Sequence, residues 1–151
     1  MTHRYEATIK WQATGDVAKG QYSRARDWVF DGGVTVPASA SPTIVPLPYS
    51  DASAVDPEEA YVASISSCHM LFFVDLSRRA GFLAETYEDR SIGTMEQNAE
   101  GLMWVSRVEL NPKVTWQSDA PTPDQWAQLH HDAHHQCFIA NSVRTEVVTN
   151  L

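Results

Sequence analysis

The stretch that decides the fold is DPEEAYVASISSCHMLFFVDLSRRAG, which covers residues 56–81. It opens with a helix start, because Asp56 suits the N-cap, Pro57 suits the first turn and Glu59 completes a capping box. It closes with Gly81 after two arginines, which is a typical helix end. Nearly every position between them is apolar or small. The stretch therefore predicts a helix over residues 57–80 that is buried on all sides.

The segments on either side of this helix are rich in strand signals. Strands are predicted over residues 2–13, 21–30, 34–36, 83–93, 102–116 and 142–151. Turns are predicted at residues 15–16, 31–33 and 98–101, and a proline-rich surface loop over residues 37–55. A second helix is predicted over residues 122–136, and the strands of residues 83–116 are expected to form a β-meander. The order βββ–α–βββ–α–β indicates an α+β fold with residues 1–151 as one domain.

Composition restricts the possible partners. The net charge of −8 argues against nucleic acid, since a phosphate backbone requires clusters of Lys and Arg. No unbroken apolar run reaches the roughly 18 residues that a membrane span requires, so no membrane association is expected. The first residues are too polar for a signal peptide. We therefore expect a cytoplasmic protein, in which thiols stay reduced unless their own chemistry oxidises them.

The only two cysteines, Cys68 and Cys137, both lie in helical settings. They are either two unrelated buried thiols or a redox pair that folding brings together, and the surrounding residues favour the pair. A thiolate in the middle of a helix needs a cation, which Arg24 or Arg26 on the second strand can supply, although a solvated strand face also explains both arginines. Glu58 lies roughly 15 Å along the helix from Cys68, so it reaches one site with that thiol only through a bridging arginine or from a partner chain.

The histidines of residues 130–135 form two i,i+4 pairs on the second helix, which is a spacing that metals use. A polar helix face explains them equally well, and no metal is predicted. Gly32 and Gly33 do not form a phosphate loop, and no Gly-x-Ser-x-Gly elbow occurs. No cofactor is predicted.

Two motifs resemble those of a known family. Residues 56–59 followed by Cys68, and residues 133–143 around Cys137, are similar to the two cysteine motifs of the OsmC/Ohr family (osmotically inducible protein C and organic hydroperoxide resistance proteins). The resemblance covers nearly the whole chain. It implies two buried central helices wrapped by antiparallel β-sheets in an intertwined homodimer, with two sites at the interface.

The resemblance also implies a thiol peroxidase. Cys68 would be the peroxidatic cysteine, Cys137 the resolving cysteine, and Glu58 the carboxylate that orients an arginine. Arg24 is the expected arginine, and Arg26 is the second choice. The implied partners are a hydroperoxide substrate and a dithiol reductant of the lipoyl or thioredoxin type.

Some residues depart from the family pattern or leave alternatives open. Phe138 stands where many members have proline, and His69 after the first cysteine is distinctive. The subfamily, the preferred hydroperoxide and the reductant stay open. Four aromatic residues are candidates for an apolar substrate pocket or for core packing: Trp28, Tyr61, Phe72 and Phe73. The alternative function is an OsmC-like protein that binds thiol-reactive or lipophilic small molecules without efficient turnover.

Overall fold

The computed structural model describes all of residues 1–151. The strands are Ala7–Lys10 (β1), Gly15–Asp16 (β2), Gln21–Tyr22 (β3), Arg26–Phe30 (β4), Thr35–Ala38 (β5), Ala84–Asp89 (β6), Ile92–Gln97 (β7), Met103–Leu110 (β8), Pro112–Trp116 (β9) and Glu146–Thr149 (β10). The helices are Pro57–Arg79 (α1) and Pro123–Gln136 (α2), with a 3-10 turn at Ala140–Ser142. These elements confirm the α+β class. The chain divides into two compact units, Met1–Ala60 and Tyr61–Leu151.

The first unit contains an antiparallel sheet in the order β1-β4-β5 and the small hairpin β2-β3. The predicted turn at residues 31–33 is confirmed, because the Phe30 N–H donates to the Val34 carbonyl at 2.9 Å. Gly33 has a φ of 91°, a conformation that favours glycine. This turn joins β4 to β5.

Three details of the first unit differ from the predictions. Gly15 and Asp16 form strand β2, and the turn follows them, where the Gly20 N–H donates to the Val17 carbonyl at 3.1 Å. The predicted strand over residues 21–30 is interrupted between β3 and β4. The segment 37–55 is not wholly a surface loop, since Ser39 is buried and its Oγ accepts the N–H of Asp51 at 3.0 Å.

The first unit has almost no apolar core of its own. Ala38 is its only buried hydrophobic residue, and β1 is exposed along its whole length. Ile9 and Val34 are 56% and 59% exposed. A small sheet needs a packed apolar face for stability, so the sheet of this unit is short of packing partners within the unit.

Helix α1 begins as predicted. The Glu59 N–H donates to Asp56 Oδ1 at 2.7 Å, and the Asp56 N–H donates to Glu59 Oε2 at 3.2 Å, so both halves of the capping box form. The helix stops before Gly81, which has a φ of 92°. Local sequence signals at both ends therefore determine its length.

Only one face of α1 is buried in this chain. Its buried residues recur every fourth position at Ile65, His69, Phe73 and Ser77, which is one helix face. The other side is open, and Leu71 there is 64% exposed. The prediction that this helix is buried on all sides is therefore not met within a single chain.

Helix α1 also has the length and average hydropathy of a membrane-crossing helix, contrary to the estimate from unbroken apolar runs. Average hydropathy tolerates the serines and the histidine that interrupt a continuous run. The core helices of globular proteins can have the same length and hydropathy, so these two properties do not assign a membrane span. Ile65 and Phe73 of this helix pack into the two core clusters of the protein. That the protein does not associate with a membrane stays a prediction.

The second unit pairs its strands in a nested arrangement. Strand β7 pairs with β8 across the predicted turn at residues 98–101, and β6 pairs antiparallel with β9. The two predicted arms therefore pair with each other, but not in the order of a meander. In a meander each strand pairs with its successor, whereas here the inner hairpin lies between the two outer strands in sequence. The last strand, β10, runs parallel to β8, so not every pair is antiparallel.

Two apolar clusters form the core of the second unit. The first consists of Ile65, Val108 and Leu110, which join α1 to β8. The second consists of Phe73, Leu129 and Ala133, which join α1 to α2. His69 lies between Ile65 and Phe73 on the buried face of α1, so a polar residue separates the two clusters along the helix.

Helix α2 also follows its sequence signals. Thr122 is the N-cap, its Oγ1 accepts the Gln125 N–H at 3.3 Å, and the Gln125 side chain accepts the Thr122 N–H at 2.9 Å. Cys137 is the C-cap residue. The end of α2 therefore positions this cysteine.

Candidate active site

The two cysteines lie together in the second unit. The Cys68 and Cys137 side chains are close neighbours, since the Cys68 thiol contributes to raising the pKa of Cys137, and both thiols are free. Cys68 comes from the middle of α1 and Cys137 from the end of α2. The packing of these two helices thus brings together two thiols that are distant in sequence.

The two thiols have different environments. Cys137 is 1% exposed, whereas Cys68 is half-buried. Burial, together with the neighbouring Cys68, raises the pKa of Cys137 to about 11, although the N–H of Ala140, 3.4 Å from its sulfur, acts in the opposite direction. Cys137 is therefore a protonated thiol at neutral pH, and Cys68 is the thiol that a solute can reach.

An aromatic pair accompanies the thiols. Phe72 lies one turn after Cys68, and Phe138 directly follows Cys137. Their rings meet edge to face with centroids 4.9 Å apart. Phe138 is 70% exposed, which is unusual for a phenylalanine and provides an apolar surface beside the thiols.

The other aromatic candidates have different positions. Phe73 is fully buried in the core cluster with Leu129 and Ala133. Tyr61 packs on the first core cluster, and its hydroxyl is 2.6 Å from Thr145 Oγ1. Trp28 lies on β4 of the first unit. For Phe73, core packing is the role that its burial indicates.

Arg24 lies in the first unit, in the break between β3 and β4. Its guanidinium donates to the carbonyls of Gly20 and Tyr22 and lies over the Tyr22 ring, with 3.6 Å between Cζ and the ring centroid. Arg26 donates to the Arg24 carbonyl at 3.1 Å. Both predicted cations are thus bonded to backbone carbonyls of their own segment.

Glu58 lies in the first turn of α1, where the helix dipole favours a carboxylate. It forms no ion pair with any cation of this chain, and the structure does not join it to Arg24. Of the four predicted site residues, Cys68 and Cys137 are therefore neighbours in the second unit. Arg24 and Glu58 belong to the first unit.

The histidine run divides by burial. His130 is 1% exposed, whereas His131, His134 and His135 are exposed. No group of three or more His, Cys, Asp or Glu side chains in residues 1–151 is arranged to hold a metal ion. The spacing alone did not reveal that His130 faces the core.

Sequence reasoning missed one acidic residue close to the thiol-bearing helix. Asp89 accepts hydrogen bonds from Ser66 Oγ at 2.5 Å, Ser91 Oγ at 2.6 Å and the Asn111 N–H at 2.6 Å. Ser66 lies two residues before Cys68, so Asp89 ties this part of α1 to the strand ends. The signal was an acidic residue at a strand end, which is too common to single out.

Comparisons of the sequence and of the structure with known proteins indicate the same family. The family described as "OsmC-like protein" matches residues 50–151. An OsmC-like protein of unknown function from Vibrio cholerae is 44% identical, with a TM-score of 0.95 over 99% of both chains. No curated protein matches the sequence significantly.

More distant structures share the fold. An organic hydroperoxide resistance protein from Elizabethkingia anophelis is 18% identical, with a TM-score of 0.69 over 99% of this chain and 95% of that one. One from Legionella pneumophila is also 18% identical, with a TM-score of 0.69 over 99% and 97%. With the family match over most of the chain and the 44% identical relative, these findings show that the chain belongs to the OsmC-like family.

Proposed function

We propose that this protein is a thiol-dependent peroxidase that reduces organic hydroperoxides, with Cys68 as the peroxidatic and Cys137 as the resolving cysteine. The observation that carries the proposal is the proximity of the half-buried Cys68 thiol to the buried Cys137 thiol. Membership of the OsmC-like family and the fold shared with hydroperoxide resistance proteins support a peroxiredoxin-like role.

The reaction consists of two displacements. The Cys68 thiolate attacks one peroxide oxygen, the O–O bond breaks, and the alkoxide takes a proton to leave as an alcohol. Cys68 is then a sulfenic acid. The Cys137 sulfur attacks the Cys68 sulfur, the S–O bond breaks, water leaves, and an intrachain disulfide forms. A dithiol reductant of the lipoyl or thioredoxin type returns both thiols, so two electrons pass from the dithiol to the hydroperoxide.

The environments of the thiols support this division of roles. The first attack requires a thiolate that the substrate can reach, and Cys137 is both buried and held as a thiol by its raised pKa. Cys68 is only half-buried, so a hydroperoxide can reach its sulfur. The resolving thiol needs only to meet the sulfenic acid at its side, and this is where Cys137 lies.

We assign stabilisation of the Cys68 thiolate to Arg24, with Glu58 as its orienting carboxylate and Arg26 as the second choice. A guanidinium is permanently charged and can bind a sulfur and a carboxylate together. Arg24→Ala should slow alkylation of Cys68 by iodoacetamide at pH 7 by about tenfold, whereas Arg26→Ala should change it much less. The reverse order would transfer the role to Arg26.

The substrate class follows from the apolar surface beside the thiols. Phe72 and the exposed Phe138 offer an aromatic contact to the organic part of a hydroperoxide. We therefore expect cumene and fatty-acid hydroperoxides to react faster than hydrogen peroxide.

The protein is proposed to act as a homodimer in the cytoplasm. The first unit has one buried apolar residue, and α1 exposes Leu71 on its open side. Apolar surfaces of this kind are commonly covered by a partner chain, and an intertwined homodimer would cover both. Sedimentation should give a dimer mass, and a monomer at micromolar concentration would contradict the proposal.

One observation favours the alternative, a small-molecule-binding protein without efficient turnover. Arg24 is bonded to the carbonyls of Gly20 and Tyr22 and not to Glu58, so the proposed activating pair is not assembled in this chain. Peroxide consumption with a dithiol donor discriminates between the two functions. Stoichiometric modification of Cys68 without turnover would support the binding protein.

Two cysteine variants test the peroxidase directly. Cys68→Ser should abolish peroxide reduction, because Cys137 is buried and protonated. Cys137→Ser should consume about one equivalent of hydroperoxide and then stop as the sulfenic acid or a mixed disulfide. Equal residual turnover in both variants would refute the assignment.

A further inference from the structure

A buried pair of histidines links the two helices that carry the thiols. His69 Nε2 on α1 lies 2.9 Å from His130 Nδ1 on α2, and the two rings are within 2° of coplanar. Each residue is 1% exposed. One nitrogen donates its N–H to the other along the plane of both rings, which is favourable geometry for a hydrogen bond.

The pair is uncharged at neutral pH. Burial lowers the pKa of His69 to about 4 and that of His130 to about 3. His134 on α2 also lowers the pKa of His69, whereas Asp89 at the end of β6 raises it. The Tyr87 hydroxyl on β6 and the Cys137 thiol are further titratable groups of this core, and burial raises the pKa of both. Both imidazoles are therefore neutral above pH 5, which keeps one donor and one acceptor in the bond.

Aromatic packing holds the His130 ring in place. Phe73 stacks on it with centroids 4.1 Å apart, and Trp126 meets it edge to face at 4.3 Å. His69 is the neighbour of Cys68 on α1, and α2 runs on from His130 for two turns to Cys137. The histidine pair and the thiol pair are thus two contacts between the same two helices.

Disulfide formation is sensitive to such a contact. It requires Cβ atoms about 3.8 Å apart and a narrow range of dihedral angles. A displacement of about 1 Å costs a reaction between held groups about a hundredfold in rate. The approach of Cys137 to Cys68 is therefore sensitive to the contacts that fix α2 against α1, which are the apolar cluster around Phe73 and the His69–His130 hydrogen bond.

We propose that the His69–His130 hydrogen bond positions Cys137 on Cys68 for the disulfide-forming step. The inference rests on the proposed function only in treating Cys68 and Cys137 as the redox pair. Neither histidine touches the substrate, so both are positioning residues. They act on the second displacement and leave the first attack by Cys68 unchanged.

The test uses diamide, a thiol oxidant that does not depend on peroxidase activity. The Cys68 thiolate adds to its N=N bond, and Cys137 then displaces the hydrazine to form the disulfide, so diamide takes up two electrons and two protons. Mass spectrometry follows the lifetime of the diamide adduct on Cys68. His130→Phe should lengthen this lifetime at least about tenfold. Alkylation of Cys68 by iodoacetamide should change less than about twofold in the same variant.

Two further variants separate positioning from general damage. His130→Asn should restore the adduct lifetime to within about threefold of the unmodified protein, because its amide carries a polar atom at the place of Nδ1. His131→Asn is the matched control, since it changes an exposed histidine on the same helix and should have no effect. If His130→Phe does not fold, His130→Gln takes its place, because its amide reaches beyond the Nδ1 position.

The outcomes are decisive. The inference is overturned if a folded His130→Phe or His130→Gln variant has an unchanged adduct lifetime. It is also overturned if the adduct lives as long in His130→Asn as in His130→Phe. Normal diamide behaviour in a protein that does not turn over hydroperoxides would refute the proposed function and leave this inference standing.

Discussion

Acid should destabilise this protein well above the pH range in which its carboxylates titrate. His69 and His130 are buried as neutral rings with pKa values of about 4 and about 3, against an ordinary value of 6.5. Below pH 6.5 the unfolded chain binds a proton at each histidine and the folded chain does not. Stability contributed by the neutral pair is therefore present above pH 6.5 and is lost as the pH falls through this window.

The size of the loss follows from the pKa differences. Each histidine should remove about 2 kcal/mol of unfolding free energy between pH 7 and pH 5, since one pKa unit corresponds to about 1.4 kcal/mol. The pair should remove about 3–4 kcal/mol, a large part of the 5–15 kcal/mol that is typical of a domain. Urea unfolding at fixed protein concentration and at several pH values between 7 and 5 measures it.

Variants assign the effect to the buried rings. His130→Asn should reduce the pH dependence to about half, because only one buried histidine then titrates. His131→Asn should leave the dependence unchanged, since that side chain is exposed. Equal unfolding free energies at pH 7 and pH 5 in the unmodified protein would refute the reasoning, as they would require the two rings to titrate normally in the folded state.

Three further substitutions have defined outcomes. Gly93→Ala should lower the unfolding free energy by about 1–3 kcal/mol, because a Cβ there would meet Val62 Cγ2 at 2.5 Å, and an unchanged urea midpoint would contradict this. Asp89→Asn should cost about 2–3 kcal/mol, since the charged acceptor of Ser66 is lost, and a cost below 0.5 kcal/mol would argue against its role. Phe138→Ala should reduce the preference for cumene hydroperoxide over hydrogen peroxide about tenfold, and an unchanged ratio of kcat/KM values would exclude the aromatic contact.

The sequence predicted the helices well because their ends carry local signals. Asp56 and Glu59 cap α1, Thr122 caps α2, and Gly81 ends α1, and all of these interactions involve residues a few positions apart. Local hydrogen bonds and backbone preferences can be read from neighbouring residues. The turn at residues 98–101 is confirmed for the same reason, with the Asn98 N–H donating to the Leu102 carbonyl at 2.9 Å.

Local signals determined only part of the strand pairing, since the predicted turn at residues 98–101 joins β7 to β8. The alternation in residues 83–116 is equally compatible with a meander and with the observed β6-β9 and β7-β8 pairs. Strand pairing depends on which apolar faces meet over long sequence separations. The parallel pairing of β10 with β8 also depends on packing between residues that are far apart in sequence.

The candidate site shows the same division. The sequence by itself supplied the identities of Cys68 and Cys137, and the resemblance of their motifs to a family supplied their expected roles. Only the tertiary structure decided that the two thiols are neighbours, that Cys137 is the buried one and that His69 bonds to His130. Burial and long-range contact are properties of packed helices, and no window of neighbouring residues contains them.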